Sequence, residues 1–122
     1  MFRRLKRVLL LDDDAAMQRL VSTLLKRAGF RVEAVDRGSQ AIEALKKSAY
    51  DAILLDLMMP TEGGLTVVKH LRKENPAILT RVLLLTATPE SVLKNLERDV
   101  AGVVRKPFTR EELVGAVKRV SK

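Results

Sequence analysis

Three short, uninterrupted apolar runs constrain this chain more than any other feature: VLLL at 8–11, AILL at 52–55 and VLLL at 82–85. Each stops abruptly at a polar residue, Asp12, Asp56 and Thr86 respectively. A strand with one wet face alternates apolar and polar side chains. A continuous run needs cover on both faces, the condition of a parallel sheet clad by helices. RVEAV at 31–35 alternates more and reads as a peripheral strand, and GVV at 102–104 is a short fifth run.

Helix-length segments separate these runs. Met17, Leu20, Val21, Leu24, Leu25 and Ala28 form an i, i+3, i+4, i+7 stripe that Gly29 closes as a C-cap. Ala41, Ile42, Ala44 and Leu45 stripe a shorter helix, and Leu65, Val68 and Leu71 a third that ends before Pro76. Thr88-Pro89 predicts an N-cap with proline at the first helical position, opening a helix through Val92, Leu93 and Leu96. Thr109 with Glu112 three residues later predicts a capping box, opening the last helix with Leu113, Val117 and Val120. The order is five βα units. With right-handed crossovers this is an α/β, doubly wound three-layer sandwich, and its ligands belong beyond the carboxyl ends of the strands.

A length of 122 residues holds one such domain, expected to be single over 1–122 with its core from about 7 to 120. Hydrophobic and charged fractions of 47% and 31% exclude wholesale disorder, and the absence of cysteine excludes disulfides, thiolate catalysis and cysteine-based metal centres. The net charge of +8 sits at the two ends. Arg3, Arg4, Lys6 and Arg7 make the leader basic, the body is neutral, and residues 94–122 hold 8 basic and 4 acidic side chains. Four aromatic residues (Phe2, Phe30, Tyr50 and Phe108) offer no base-stacking platform, so nucleic-acid binding by this domain is not expected. The apolar run after the leader is shorter than the roughly 7–15 residues of a secretory segment and the about 20 of a membrane span. A cytoplasmic chain without a membrane segment is expected.

The strand ends carry the chemistry. Asp12, Asp13 and Asp14 follow the first strand, Asp56 the third, Thr86 and Ala87 the fourth, and Arg105, Lys106 and Pro107 the fifth. Clustered carboxylates resist ionisation unless a cation balances them. Mg²⁺, which takes oxygen ligands and suits one or two carboxylates plus a phosphoryl oxygen, is the natural compensator. With a lysine across the cleft, these groups seat a tetrahedral dianion, and one aspartate is placed to attack phosphorus. Gly63-Gly64 lacks the spacing of a nucleotide-binding loop, so the cleft is built to receive a phosphoryl group from elsewhere. Asp14 reads as the start of the first helix or a brace for the acidic pair. His70, the one histidine, reads as structural or solvent-facing.

VLLLDDD at 8–14, ILLDLMMP at 53–60 with Gly64 four beyond Pro60, VLLLTA at 82–87 and KPF at 106–108 occur in order, each at a strand end. In these four stretches the chain resembles the receiver domain of two-component response regulators, from Arg7 to Val120. The resemblance implies a flavodoxin-like five-stranded sheet of order 2-1-3-4-5. It implies Asp56 as the phosphoacceptor, and Asp12 and Asp13 as the acidic pair for Mg²⁺, with Asp56 and the Met58 backbone carbonyl as further ligands. Thr86 is implied as the switch hydroxyl that moves toward the phosphoryl group, with Ala87 the small residue beside it. Lys106 is implied as the phosphoryl-contacting lysine, followed by a cis bond to Pro107. It also implies a histidine kinase or histidine phosphotransfer protein as donor. The domain then catalyses its own phosphorylation and slow dephosphorylation, with no independent metabolic substrate.

One position departs from the family pattern. Three residues before the lysine, where the family usually has a switching Tyr or Phe, stands Val103. A β-branched side chain has few rotamers and no hydroxyl, so coupling to output must differ here. A pseudo-receiver acting as an interaction module without phosphorylation is the alternative reading. A small metal-dependent phosphatase is a weaker one, because neither a general acid nor a substrate cap is evident. The family's output face, formed by the helix after Thr88, the fifth strand and the last helix, falls in the basic tail. Lys94, Arg98, Arg105, Arg110, Lys118 and Arg119 predict an electropositive face for an acidic effector or output domain. A monomer, or a weak dimer through that face, is expected.

Overall fold

The computed structural model describes residues 4–60, 62–87, 93 and 95–122. The elements run β1 (Arg7–Leu11), α1 (Ala15–Arg27), β2 (Arg31–Val35), α2 (Gly38–Lys47), β3 (Ala52–Asp56) and α3 (Gly64–Glu74). A 3-10 helix (Pro76–Arg81), β4 (Val82–Thr86), β5 (Gly102–Arg105) and α4 (Arg110–Val120) complete them. All pairings are parallel, and the sheet order is β2-β1-β3-β4-β5. This is the doubly wound sandwich the apolar runs predict, in the flavodoxin-like order the resemblance implies. Of the helix expected from Thr88, only Leu93, which is buried, and residues 95 and 96 lie within the described residues.

The strands alternate between two cores. Val8, Leu10, Ala52, Leu54, Leu83, Leu85 and Val104 pack with Val21 and Leu25 of α1 and Leu113 and Val117 of α4. Leu9, Leu11, Ile53, Leu55, Val82 and Leu84 pack with Ala41 of α2 and Val67, Val68 and Leu71 of α3. Burying each such side chain contributes about 1.5–3 kcal/mol, against roughly 1 kcal/mol net for a ladder hydrogen bond. Burial on both faces therefore holds the register. A one-residue slip would exchange the two cores.

Helix ends follow the sequence signals. Asp14 caps α1, its carboxylate accepting from the backbone N–H groups of Ala16 and Met17 at 2.9 and 3.1 Å. Gly29 sits at φ +97° just past that helix, a conformation glycine adopts without strain. Thr109 and Glu112 form the expected capping box at α4. The helical stripes need two corrections. Leu20 is 48% exposed and Leu65 41% exposed, so neither belongs to the core face. Successive helical residues are rotated by about 100°, so of Leu20 and Val21 only Val21 reaches the sheet. On α3 the buried face is Gly64, Val67, Val68 and Leu71. The 3-10 helix that feeds β4 was not foreseen; Pro76 at its first turn is its one local signal.

Candidate functional site

Register brings the two buried carboxylates together. Leu10 lies opposite Leu54 and Leu11 opposite Leu55. Side chains repeat every two residues, so Asp12 and Asp56 emerge on the same side of the sheet at its carboxyl edge. Asp12 is fully buried and Asp56 nearly so, while Asp13 is exposed. One carboxylate oxygen from each of the three lies within 4.8 Å of the others. Asp14 faces away from this cluster as the cap of α1.

Each buried aspartate is held by the turn that follows it. The Asp14 backbone N–H donates to Asp12 Oδ1 at 2.9 Å, and the Met58 N–H donates to Asp56 Oδ1 at 2.8 Å. Lys106 Nζ lies 3.5 Å from the same Asp56 oxygen. Asp12 Oδ2 is buried without a hydrogen-bond partner among the described residues. Burial foremost pushes the Asp12 carboxyl up to about 6, with Asp56 adding to the rise and the Asp14 N–H and Lys106 opposing it. Among the described residues, three carboxylates thus gather beside the Lys106 ammonium group, with one buried oxygen unsatisfied. That donor set fits a hard divalent cation of Mg²⁺ type, which accepts carboxylate oxygens and retains water on its other positions.

The remaining residues take their places around this centre. Thr86 is fully buried at the last position of β4, and its carbonyl accepts the Lys106 backbone N–H at 2.9 Å. Thr86 lies opposite Arg105, so the lysine begins one residue beyond the β5 ladder. The Lys106–Pro107 bond is cis, as the resemblance implies. Ala87 and Pro107 are exposed beside the cleft, as is Met58 in the loop after Asp56. Val103, opposite Leu84 in mid-β5, is half-buried against the α2/α3 core, away from the carboxylates.

Of the supports around these residues the sequence reading named Gly64 beside the second stretch, whereas Gln18 escaped it. Gln18 of α1 donates through Nε2 to the carbonyls of Asp12 and Val35 at 3.0 and 3.2 Å, pinning the backbone that presents Asp12. A polar residue on the inner turn of an otherwise striped helix was the only clue. Behind Asp56, Gly64 packs so closely that a Cβ would lie 2.8 Å from the Asp56 carbonyl oxygen. The Gly38 N–H donates to the carbonyl of Glu62 at 2.6 Å, tying α2 to the same β3–α3 loop.

The model of the response regulator receiver domain family matches residues 8–118, a span that includes all four signature stretches. The chain is a response-regulator receiver domain. The CpxR homolog of Haemophilus influenzae, a transcriptional regulatory protein, is 36% identical over 118 residues, 95% of this chain and 50% of that protein. The DNA-binding response regulator MtrA of Mycobacterium tuberculosis is 33% identical over 113 residues, covering 93% and 49%. The chain thus spans about half the length of the curated relatives it matches. The chemotaxis response regulator CheY4 of Vibrio cholerae superposes with a TM-score of 0.84 at 30% identity, covering 96% of this chain and 99% of that one. TrrA of Thermotoga maritima, solved in complex with Mg²⁺–BeF, superposes at 0.83 and 28% identity over 95% and 99%. A receiver domain is a phosphoaccepting switch of two-component signalling. No helix among the described residues is long and apolar enough to cross a membrane.

Proposed function

We propose that Asp56 accepts the phosphoryl group. One observation carries this: Asp56 is the carboxylate that stands both within the acidic cluster and beside Lys106. An Asp56 carboxylate oxygen donates its electron pair to phosphorus, forming an acyl phosphate as the donor's P–N bond breaks and its imidazole takes the departing pair. Lys106 offsets the charge of the phosphoryl oxygens, and Thr86, at the adjoining strand end, is the hydroxyl that turns toward them. Mg²⁺, held by Asp12, Asp13, Asp56 and the Met58 backbone carbonyl, would neutralise repulsion between these carboxylates and the incoming phosphoryl group, as the Mg²⁺–BeF complex of TrrA supports. Ala87 and the Pro107 turn keep that approach narrow.

Intact mass after incubation with Mg²⁺ and acetyl phosphate tests this reading. The parent is expected to gain one phosphoryl mass that decays slowly, and Asp56→Asn none. Equal labelling of the variant sinks the assignment of Asp56. Failure of the parent to label favours the pseudo-receiver alternative, whose one support is Val103.

The finer roles form part of the same proposal. Residues 1–122 act as one cytoplasmic receiver unit with its core over 7–120, as a monomer or weak dimer. Output passes through β5, α4 and the preceding segment, in which Lys94 lies outside the described residues. Arg98, Arg110, Lys118 and Arg119 are exposed on these elements, and Arg105 is partly offset by Glu97 at 3.4 Å. Clefts of 360 and 350 Å³ flank Val103, space that a valine leaves open beside α4. An acidic effector or output domain suits this face, and nucleic acid does not. Its binding is expected to weaken with ionic strength, and a salt-independent affinity removes the electrostatic part of the proposal.

A further inference from the structure

The end of the sheet opposite the phosphorylation cleft has its own concentration of charge. A 480 Å³ cleft there is lined by Arg4, Arg7, Arg31, Glu33 and Tyr50, with Val8 and Val32 as its floor. Arg7 and Arg31 are register partners on adjacent strands, so both guanidinium stems leave the same face of the sheet side by side. Like charges opposite one another in a sheet are destabilising.

The acids nearby are already engaged. The Tyr50 hydroxyl donates to Glu33 Oε2 at 2.5 Å. Asp51 accepts the Arg7 backbone N–H at 2.7 Å through Oδ2, and its Oδ1 lies 3.6 Å from Arg4. The half-buried Arg7 guanidinium stacks over the Tyr50 ring at 4.8 Å from its centroid. Neither the Arg7 nor the Arg31 guanidinium has a carboxylate within ion-pair distance among the described residues. The contact with Tyr50 restrains one fork, and the parallel register sets the second beside it.

We propose that this cleft is an anion site for a phosphate-bearing ligand, with Arg7 and Arg31 bracketing the phosphate and Arg4 closing over it. Guanidinium forks match phosphate oxygens two at a time, and a fork held by stacking loses less freedom on binding than a free one. The volume suits a small phosphorylated molecule. The site is independent of Asp56: it lies at the amino ends of β1 and β2, whereas the acidic cluster lies beyond the carboxyl ends of β1 and β3.

The test is a titration of the ¹⁵N-labelled chain in EDTA, which withholds the divalent cation from the acidic cluster. Pyrophosphate is one titrant and phosphatidylglycerol vesicles, read by co-sedimentation, are the other. The expected result is saturable displacement of the Arg7, Arg31, Val32 and Tyr50 amide signals by pyrophosphate, with affinity lowered about tenfold in Arg31→Gln. Arg19→Gln, which removes an exposed charge on α1 near the opposite end of the sheet, is expected to titrate like the parent. Binding to vesicles alone, lost in Arg31→Gln, assigns the phosphate to a lipid headgroup. No saturation with either titrant, or an Arg31→Gln protein that responds like the parent, overturns the site. Arg31 is exposed at an edge strand, so its substitution leaves the core intact.

Discussion

β1 carries like charge in register with a neighbouring strand at both of its ends. At the carboxyl end Asp12 stands beside Asp56 of β3, and at the amino end Arg7 stands beside Arg31 of β2. The side-by-side placement is alike; the exposure to solvent is not. Two unit charges about 5 Å apart repel by about 0.8 kcal/mol in water and about 3 kcal/mol at the effective dielectric of a protein site. Asp12 and Asp56 are buried, whereas Arg31 is exposed and Arg7 half-buried. The acidic end therefore requires a resident compensator, which Lys106 supplies in part. The basic end persists with water as its counter-medium. A buried like-charge pair is a seat that stays costly until its ligand arrives, and an exposed one is a seat that costs little while vacant.

The largest effect expected from this difference is at Asp12. Its carboxyl is raised from 3.8 to about 6, burial being the main cause. Folding therefore favours the protonated form. The associated stability is fully present below about pH 4 and is lost as pH rises through 6, up to about 3 kcal/mol. Without divalent cation, the parent should be less stable to urea at about pH 7.5 than this group allows at about pH 4.5. Asp12→Asn removes the buried charge and gives Asp56 an amide neighbour in its place. It should be the more stable protein at about pH 7.5, with a flatter profile, and Mg²⁺ should stabilise the parent far more than the variant. An Asp12→Asn protein that is weaker than the parent at about pH 7.5 breaks the contrast between the two ends.

A second perturbation asks how far the acidic end depends on its backing. An alanine Cβ at residue 64 would meet the Asp56 carbonyl oxygen at 2.8 Å and Leu55 Cβ at 3.0 Å. Both belong to β3, which is buried along its whole length and has nowhere to shift. Gly64→Ala should cost about 1–3 kcal/mol, as overpacking does. It should also slow labelling of Asp56 by acetyl phosphate, because the displaced atoms carry that carboxylate. Unchanged stability and labelling would mean that the β3–α3 junction yields more easily than the packing implies.

The acidic end was legible from sequence because each of its members ends an apolar run. The strand is recognised by its continuous burial, and the first polar residue after it marks the carboxyl edge: Asp12, Asp56 and Thr86. Capping chemistry is equally local, which is why Asp14, Gly29 and the Thr109–Glu112 box could be read. The basic end was seen only as a charged leader. Its pairing of Arg7 with Arg31 depends on strand register, and nothing local to either residue specifies that. The same reason hid Gln18, whose partners belong to two different strands. Leu20 was misplaced because adjacent Leu20 and Val21 satisfy a helical stripe equally well until the sheet selects one face, and Leu65 because the buried face begins at Gly64, which has no side chain to mark it. The 3-10 helix before β4 has too few residues to show a period at all.

The smallest effect expected is at the basic end without ligand. Arg31→Gln removes one of two repelling charges at an exposed site, and such surface interactions are worth about 0.2–1 kcal/mol. The variant should therefore gain a few tenths of a kcal/mol, or about 1–2 °C in Tm for a domain of this size, at low ionic strength. Salt screens the repulsion over about 10 Å at 0.1 M and about 3 Å at 1 M, so the gain should vanish in concentrated NaCl. Differential scanning calorimetry of both proteins at the two ionic strengths reads this directly. Pyrophosphate should then reverse the order, stabilising the parent past the variant, because the charge that is a liability in the vacant cleft is the one that holds the anion. If Arg31→Gln is instead the less stable protein at low salt, Arg31 is already compensated within the fold, and the two ends of β1 are not alike.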